Sequence, residues 1–193
     1  MILSKSLPIL FLGLGGAGQR QLRIIRGLLP ENPFFAFRFT KKTPLLNQDF
    51  SINSKSSIEE KYKIEVLKNI NDIKKINPFL TVVSLPTSMH SKYSLNAHKI
   101  GSNVFVEKPG FFNNEEINIL KNEFINSKLK YMVGFQRQFN PSIKLLKNIL
   151  NSGDLGKISK VFVKVSSFIP SWHPYENYKE LYACKKNLGG GIL

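Results

Sequence analysis

Apolar residues along this chain follow two rhythms. Short, mostly apolar and β-branched runs occupy 9–12, 79–85 and 104–106, and between them apolar residues return every three or four positions. The runs have the length of parallel strands buried on both faces, and the intervals that of helices lying on a sheet. After 9–12, Ala17, Ile24, Ile25 and Leu28 share one helical face while Arg20, Arg23 and Arg26 spread over the others, and Pro30 ends the pattern. A second strand is expected at 34–39, a polar connection at 40–57, and a helix over 58–76 carrying Ile64, Leu67, Ile70 and Ile73 and closed by Pro78. The run 79–85 ends at Pro86; Ser88 can cap a helix that reaches Ile100 and stops at Gly101. The strand 104–106 follows, and Asn113 or Asn114 can cap the next helix, with Ile117, Leu120, Phe124 and Ile125 on its buried side. A strand at 129–135 and a helix at 141–150 complete the alternation, which is that of an α/β, doubly wound parallel sheet.

From Lys157 the rhythm changes. Val161, Val163 and Val165 alternate with Phe162, Lys164 and Ser166, the period of a strand with one buried face. A different sheet is expected to begin here. We therefore expect a Rossmann-type domain over 1–138 and the start of a second domain over 139–193, joined near 139–141.

Chemistry concentrates where strands end. The first run leads directly into Gly13-Leu14-Gly15-Gly16-Ala17-Gly18 and Gln19. In that spacing Gly13 permits a tight turn, Gly15 lets the backbone approach a pyrophosphate, and Gly18 lets helix pack on strand. N–H groups at the helix start, around Gly16 and Ala17, then face the anion. A site selective for NAD commonly places an acid at the end of the second strand; this chain has Thr40, Lys41 and Lys42. Two cations without a carboxylate favour the extra phosphate of NADP over NAD, although lysines in such a loop can equally be solvated charges. Glu107-Lys108-Pro109 ends a later strand at the same sheet edge. A lysine there is suited to shuttling a proton when hydride leaves a carbinol, its pKa lowered by a neighbouring nicotinamide or by partial burial. Taken alone, it reads as readily as a surface charge.

Composition narrows the partners. The 28 Lys+Arg against 13 Asp+Glu give a formal charge of +15, but the lysines are scattered and no nucleic-acid motif accompanies them, so no specific nucleic-acid partner is expected. The single Cys184 excludes an internal disulfide and suits a reducing, cytoplasmic setting. No apolar run has the length of a membrane span, and Pro8 and the glycines interrupt the signal-like stretch after Lys5. No metal site is expected.

Taken together, the glycine turn, Leu85-Pro86-Thr87-Ser88-Met89-His90, Glu107-Lys108-Pro109, the segment from Val133 to Pro141 and Gly189-Gly190-Gly191 occur in the order and spacing of the glucose-fructose oxidoreductase/inositol dehydrogenase family, which the whole chain resembles. The resemblance implies a nucleotide-binding domain followed by an open-sheet, α+β substrate domain. It places Leu85, Pro86, Thr87 and His90 along the cofactor and Glu107 and Lys108 at its nicotinamide end, with Lys108 on the reacting oxygen. His90 also reads as a helix-start residue completing local hydrogen bonds. The segment Ser171-Trp172-His173-Pro174-Tyr175-Glu176-Asn177-Tyr178, with Tyr182 and the triple glycine, is similar to enzymes of surface-polysaccharide and acidic-sugar biosynthesis, which makes Trp172, His173 and Tyr175 candidates to hold a sugar face. Where the family carries a second arginine, this chain has Gln138, which leaves Arg137 alone as a candidate cofactor contact. The family's acid and histidine beyond the triple glycine are not reached. The resemblance thus implies an NAD(P)-dependent dehydrogenase of a sugar, sugar nucleotide or cyclitol, C-terminally incomplete and inactive as this chain alone, with homo-oligomerisation through the substrate-domain sheet in the full-length form. The alternative is a non-catalytic nucleotide-binding remnant.

Overall fold

A computed structural model describes residues 6–40 and 43–191. Strands β1 (Ile9–Leu12), β2 (Phe34–Phe37), β3 (Ile64–Val66), β4 (Leu80–Val83), β5 (Asn103–Val106) and β6 (Tyr131–Val133) form one sheet in the order β3-β2-β1-β4-β5-β6. Every pairing is parallel. The strand order reverses between β1 and β4, so the chain leaves these neighbours in opposite directions and opens a crevice at their carboxyl ends.

Alternation along the central strands divides the core into two layers. Ile9, Phe11, Phe34, Ala36 and Val82 pack on one face with Leu22 of α1 (Gly16–Leu28) and Ile58 and Tyr62 of α2 (Ile58–Tyr62). Leu10, Leu12, Val83, Val104 and Val106 pack on the other with Ile73 of α3 (Ile73–Ile76) and Tyr93 and Ala97 of α4 (His90–Lys99). All four residues of β1 are buried, as a strand covered on both faces requires. Asn113 caps α5 (Asn114–Ile125) by accepting from the Glu116 N–H.

Two expectations from periodicity are overturned. The stretch 58–76 is not one helix: a capping box at Ser57 and Glu60 starts a short one, Lys63 takes a left-handed conformation that ends it, and Ile64–Val66 pairs with β2. The helical spacing of Ile64, Leu67, Ile70 and Ile73 concealed the local alternation of Ile64, Glu65 and Val66, of which Ile64 is buried and Glu65 exposed. Second, 161–165 form no strand among the described residues. Val161, Phe162, Val163 and Val165 are all exposed, with no adjacent strand to supply the ladder that an extended segment needs.

The chain divides into two compact units, the first built from residues up to Gly134 together with those from Pro170 onward, the second from Phe135–Ile169. The second contains α6 (Pro141–Ser152), capped by Asn140, and Arg137 within a 3-10 turn, Gln136–Phe139. In this structure residues from Pro170 onward belong to the first unit.

Candidate active site

The glycine turn divides its work among its glycines. Gly13 has φ +90°, and a Cβ there would lie 2.5 Å from the Ser84 carbonyl oxygen at the end of β4. A Cβ on Gly18 would meet the Gly13 oxygen at 2.3 Å, so the helix is drawn tightly against the turn. Gly15 is different: nothing lies within 4 Å of an added Cβ. Gly13 and Gly18 thus serve packing, while Gly15 leaves open space over the start of α1. That helix has no acid in its first turn and no side-chain cap, so its N–H groups and positive dipole end are not neutralised from within the helix.

The space is part of a cleft of about 480 Å³. Gly13, Gly15, Gly16, Ala17, Thr40, Leu85, Pro86, Glu107 and Lys108 all line it, as do Trp172, His173 and Tyr175. The fold therefore brings together three regions that are far apart in sequence. Glu107 is only 5% exposed, and its Oε1 accepts from Gln21 Nε2 at 2.7 Å and Arg20 Nη2 at 3.2 Å. This buried carboxylate is paired, as burial of a charge demands, and it ties the strand end carrying Lys108 to α1. Lys108 itself is exposed, so the partial burial anticipated for it is not found; its peptide bond to Pro109 is cis.

Other sequence candidates stand elsewhere. Gln19 is fully buried away from the cleft, its Nε2 donating to the Leu14 and Pro44 carbonyls and its Oε1 accepting from the Leu46 N–H. It anchors the loop after β2. His90 is 1% exposed, with Nδ1 2.6 Å from the Pro109 oxygen and Nε2 2.8 Å from the Leu85 oxygen. It bridges the two turns that line the cleft instead of lining it. Burial pushes its pKa below the usual imidazole value, against the opposing pull of those carbonyls and of Glu107 and Glu116. Thr87 is buried beneath Gly189, where an added Cβ would fall 2.6 Å from the Thr87 Cβ. Arg137 lies exposed in the second unit. Lys41 and Lys42 lie outside the described residues.

Sequence reasoning missed Arg38. With β2 ending at Phe37, Arg38 is the first residue beyond the strand; it lines the cleft, donates to the Thr43 oxygen at 2.5 Å and stands 3.7 Å from Glu59 Oε1. Placing the strand end at Phe39 moved attention past it. The signal was a cation, with no acid, at the carboxyl end of the second strand. Glu176 and Tyr182, from the same sequence segment as Trp172 and Tyr175, also line the cleft.

Among the described residues no group of His, Cys, Asp and Glu could hold a metal, and no helix is long and apolar enough to cross a membrane.

Residues 7–135 match the family model described as an oxidoreductase family with an NAD-binding Rossmann fold. The chain is 32% identical over 83 residues to an oxidoreductase, P35, of Formosa agariphila, covering 43% of this chain and 26% of that protein. It is 28% identical over 98 residues to inositol 2-dehydrogenase of Rhizobium meliloti, covering 51% of this chain and 29% of that protein. The WlbA dehydrogenase from Bordetella pertussis, solved with NADH and UDP-GlcNAcA, superposes with a TM-score of 0.66 at 15% identity, covering 80% of this chain and 44% of that one. The matches thus span less than half the length of these proteins. The sheet order β3-β2-β1-β4-β5-β6 is that of a Rossmann fold, and, matched over residues 7–135, the chain belongs to the Gfo/Idh/MocA oxidoreductases, a family with an NAD-binding Rossmann fold.

Proposed function

We propose that this chain is the cofactor-binding part of an NAD(P)-dependent dehydrogenase acting on a ring carbinol of a sugar, sugar nucleotide or cyclitol. One observation carries the reading: Gly15, with open space above it, and Lys108 line the same cleft at the carboxyl ends of the sheet. The residues fit a dinucleotide. Gly15 leaves room for a pyrophosphate that any side chain would fill, the start of α1, with no acid in its first turn, suits an anion, and Arg38 stands where ribose selectivity is set.

A bound nicotinamide supplies the hydride acceptor or donor. When a carbinol C–H leaves as hydride, the hydroxyl must also lose a proton as its carbon becomes a carbonyl, and the Lys108 amine takes it; in reduction the ammonium returns it. Glu107, held by Arg20 and Gln21, fixes the strand end from which Lys108 projects. Trp172, His173 and Tyr182 offer flat faces against which a polyhydroxylated ring can rest. The substrate class is supported by the relatives, since inositol and UDP-GlcNAcA both carry ring hydroxyls. Arg38 in place of an acid supports NADP over NAD.

The test combines titration with NADPH and NADH, followed by nicotinamide fluorescence, and turnover against a panel of inositols, sugars and UDP-sugars. Saturable binding with little or no turnover is expected of this chain alone. In the whole protein, oxidation of a panel member abolished by Lys108→Met at unchanged cofactor affinity is expected; binding without turnover of any carbinol there would instead identify a non-catalytic nucleotide binder, and turnover surviving in Lys108→Met would refute the lysine's role.

A further inference from the structure

The helix that begins the cofactor cleft has no anionic group of its own, yet its first N–H does not face an empty groove. The Tyr175 hydroxyl stands beside the Gly16 backbone and close to the Glu176 carboxylate, and both it and Glu176 line the cleft. A Cβ built on Gly16 would lie 2.9 Å from that hydroxyl, which measures how closely the ring approaches the turn. Tyr175 is braced there. His173 stacks on it at 5.4 Å with an interplanar angle of 18°, and His173 Nδ1 lies 2.8 Å from Glu176 Oε1. Phe50, from the loop after β2, stands 6.1 Å from the His173 ring and also crowds Gly16.

The rest of the segment is fastened to the same unit. Leu181 is 3% exposed, and Gly189, at φ +80°, passes against Thr87. Gly190 is pressed against its own segment: a Cβ there would meet the Tyr182 carbonyl oxygen at 2.3 Å. The glycines therefore let the segment fold back closely enough for Tyr175 to reach the turn. Burial and the neighbouring carboxylate both push the Tyr175 pKa upward, so the hydroxyl stays protonated and can accept and donate at once.

We propose that residues 170–191 form a strap that closes the dinucleotide groove from within, the Tyr175 hydroxyl and Glu176 carboxylate standing over Gly16 where a pyrophosphate has to lie. This rests on the cofactor reading above. The strap places a neutral hydroxyl and a nearby carboxylate at the open helix start. A phosphate oxygen seeking the N–H groups of the helix start must displace the hydroxyl and approach a carboxylate that repels it. Cofactor affinity is therefore set by the difference between these contacts and those of the bound pyrophosphate. Removing either strap group should strengthen binding.

Tyr175→Phe removes the acceptor but keeps the ring, and Glu176→Gln removes the charge but keeps the shape. ADP-ribose, which carries the pyrophosphate but no nicotinamide, is the probe for calorimetric titration of both variants and the wild type. Each variant is expected to bind about 3- to 10-fold more tightly, the range of one net hydrogen bond. The single tryptophan, Trp172, lies in the strap, so its emission should change with the same half-saturation as the calorimetric titration. Weaker binding by the variants would overturn the proposal by making the strap part of the closed, occupied site. Unchanged affinity with unchanged Trp172 emission would overturn it by showing that cofactor and strap do not compete. If neither wild type nor variants bind ADP-ribose, the cofactor reading itself fails and takes the strap with it.

Discussion

Gly13 and Gly15 lie two positions apart in one turn, yet the structure assigns opposite consequences to a methyl group at each. At Gly13 the added Cβ would stand 2.5 Å from the Ser84 oxygen and 3.1 Å from Leu85 Cδ2, on a backbone at φ +90°. The left-handed conformation costs roughly 1–2 kcal/mol for an L-residue. Overpacking against backbone that cannot rotate away adds about 1–3 kcal/mol. Gly13→Ala should therefore lose about 2–5 kcal/mol of folding stability. Gly15, at φ −71° and ψ −172°, is in a region any residue adopts, with nothing within 4 Å of the new atom. The alanine restricts the unfolded chain, worth about 0.4–1 kcal/mol, and is a poorer N-cap by a similar amount, about 0.5–1 kcal/mol. Gly15→Ala should thus match the wild type within about 1 kcal/mol. What its methyl can obstruct is a ligand over the turn, and a misfit of about 1–3 kcal/mol weakens dinucleotide binding roughly 5- to 150-fold. Urea denaturation followed by circular dichroism, beside calorimetric titration of NADH and NADPH, measures both effects. Undiminished affinity in Gly15→Ala would refute the claim that a pyrophosphate crosses this turn. Wild-type stability in Gly13→Ala would refute the packing.

Arg38→Gln should weaken NADPH roughly 10-fold or more, the loss of one charge-assisted contact, while leaving NADH within about 2-fold; equal losses for both cofactors would show that Arg38 acts by holding its loop through Thr43 instead of reading a phosphate. His90, buried and with its pKa pushed below 6.5, binds a proton less readily folded than unfolded. Its stabilising contribution is therefore present above that unfolded value and is lost as pH falls toward the folded one, by at most about 1.4 kcal/mol per pH unit. Urea midpoints compared between pH 8 and about pH 5 should fall less in His90→Gln than in the wild type, and parallel pH profiles would count against this origin.

The sequence made the centre of the fold legible and its margins less so. β1, β4 and β5 are buried runs ended by glycine or by residues that open turns, and such runs admit few alternatives. β3 was hidden because Ile64 and Leu67 also fit a helical stripe; the left-handed Lys63 that breaks it has no marker in residue type. The glycine turn and Lys108 were recognisable because strand ends on one sheet edge must converge. Arg38 was missed by a strand boundary of two residues. The seating of Tyr175 on Gly16 was not legible at all, since no periodicity links a loop aromatic to a turn near the other end of the chain. At 161–165 a correct period led to an incorrect element, because alternation reports which faces differ and not whether a neighbouring strand exists.

The central claim is that one dinucleotide lies from the glycine turn to Lys108. Backbone amide shifts recorded on isotope-labelled protein during titration with NADH test it most directly. The account predicts saturable changes concentrated at Gly13, Gly15, Gly16, Ala17, Leu85, Glu107 and Lys108. Changes centred instead on the second crevice, lined by Ile70, Ile73, Tyr93 and Ile100 on the opposite core layer, or no changes at all, would contradict it.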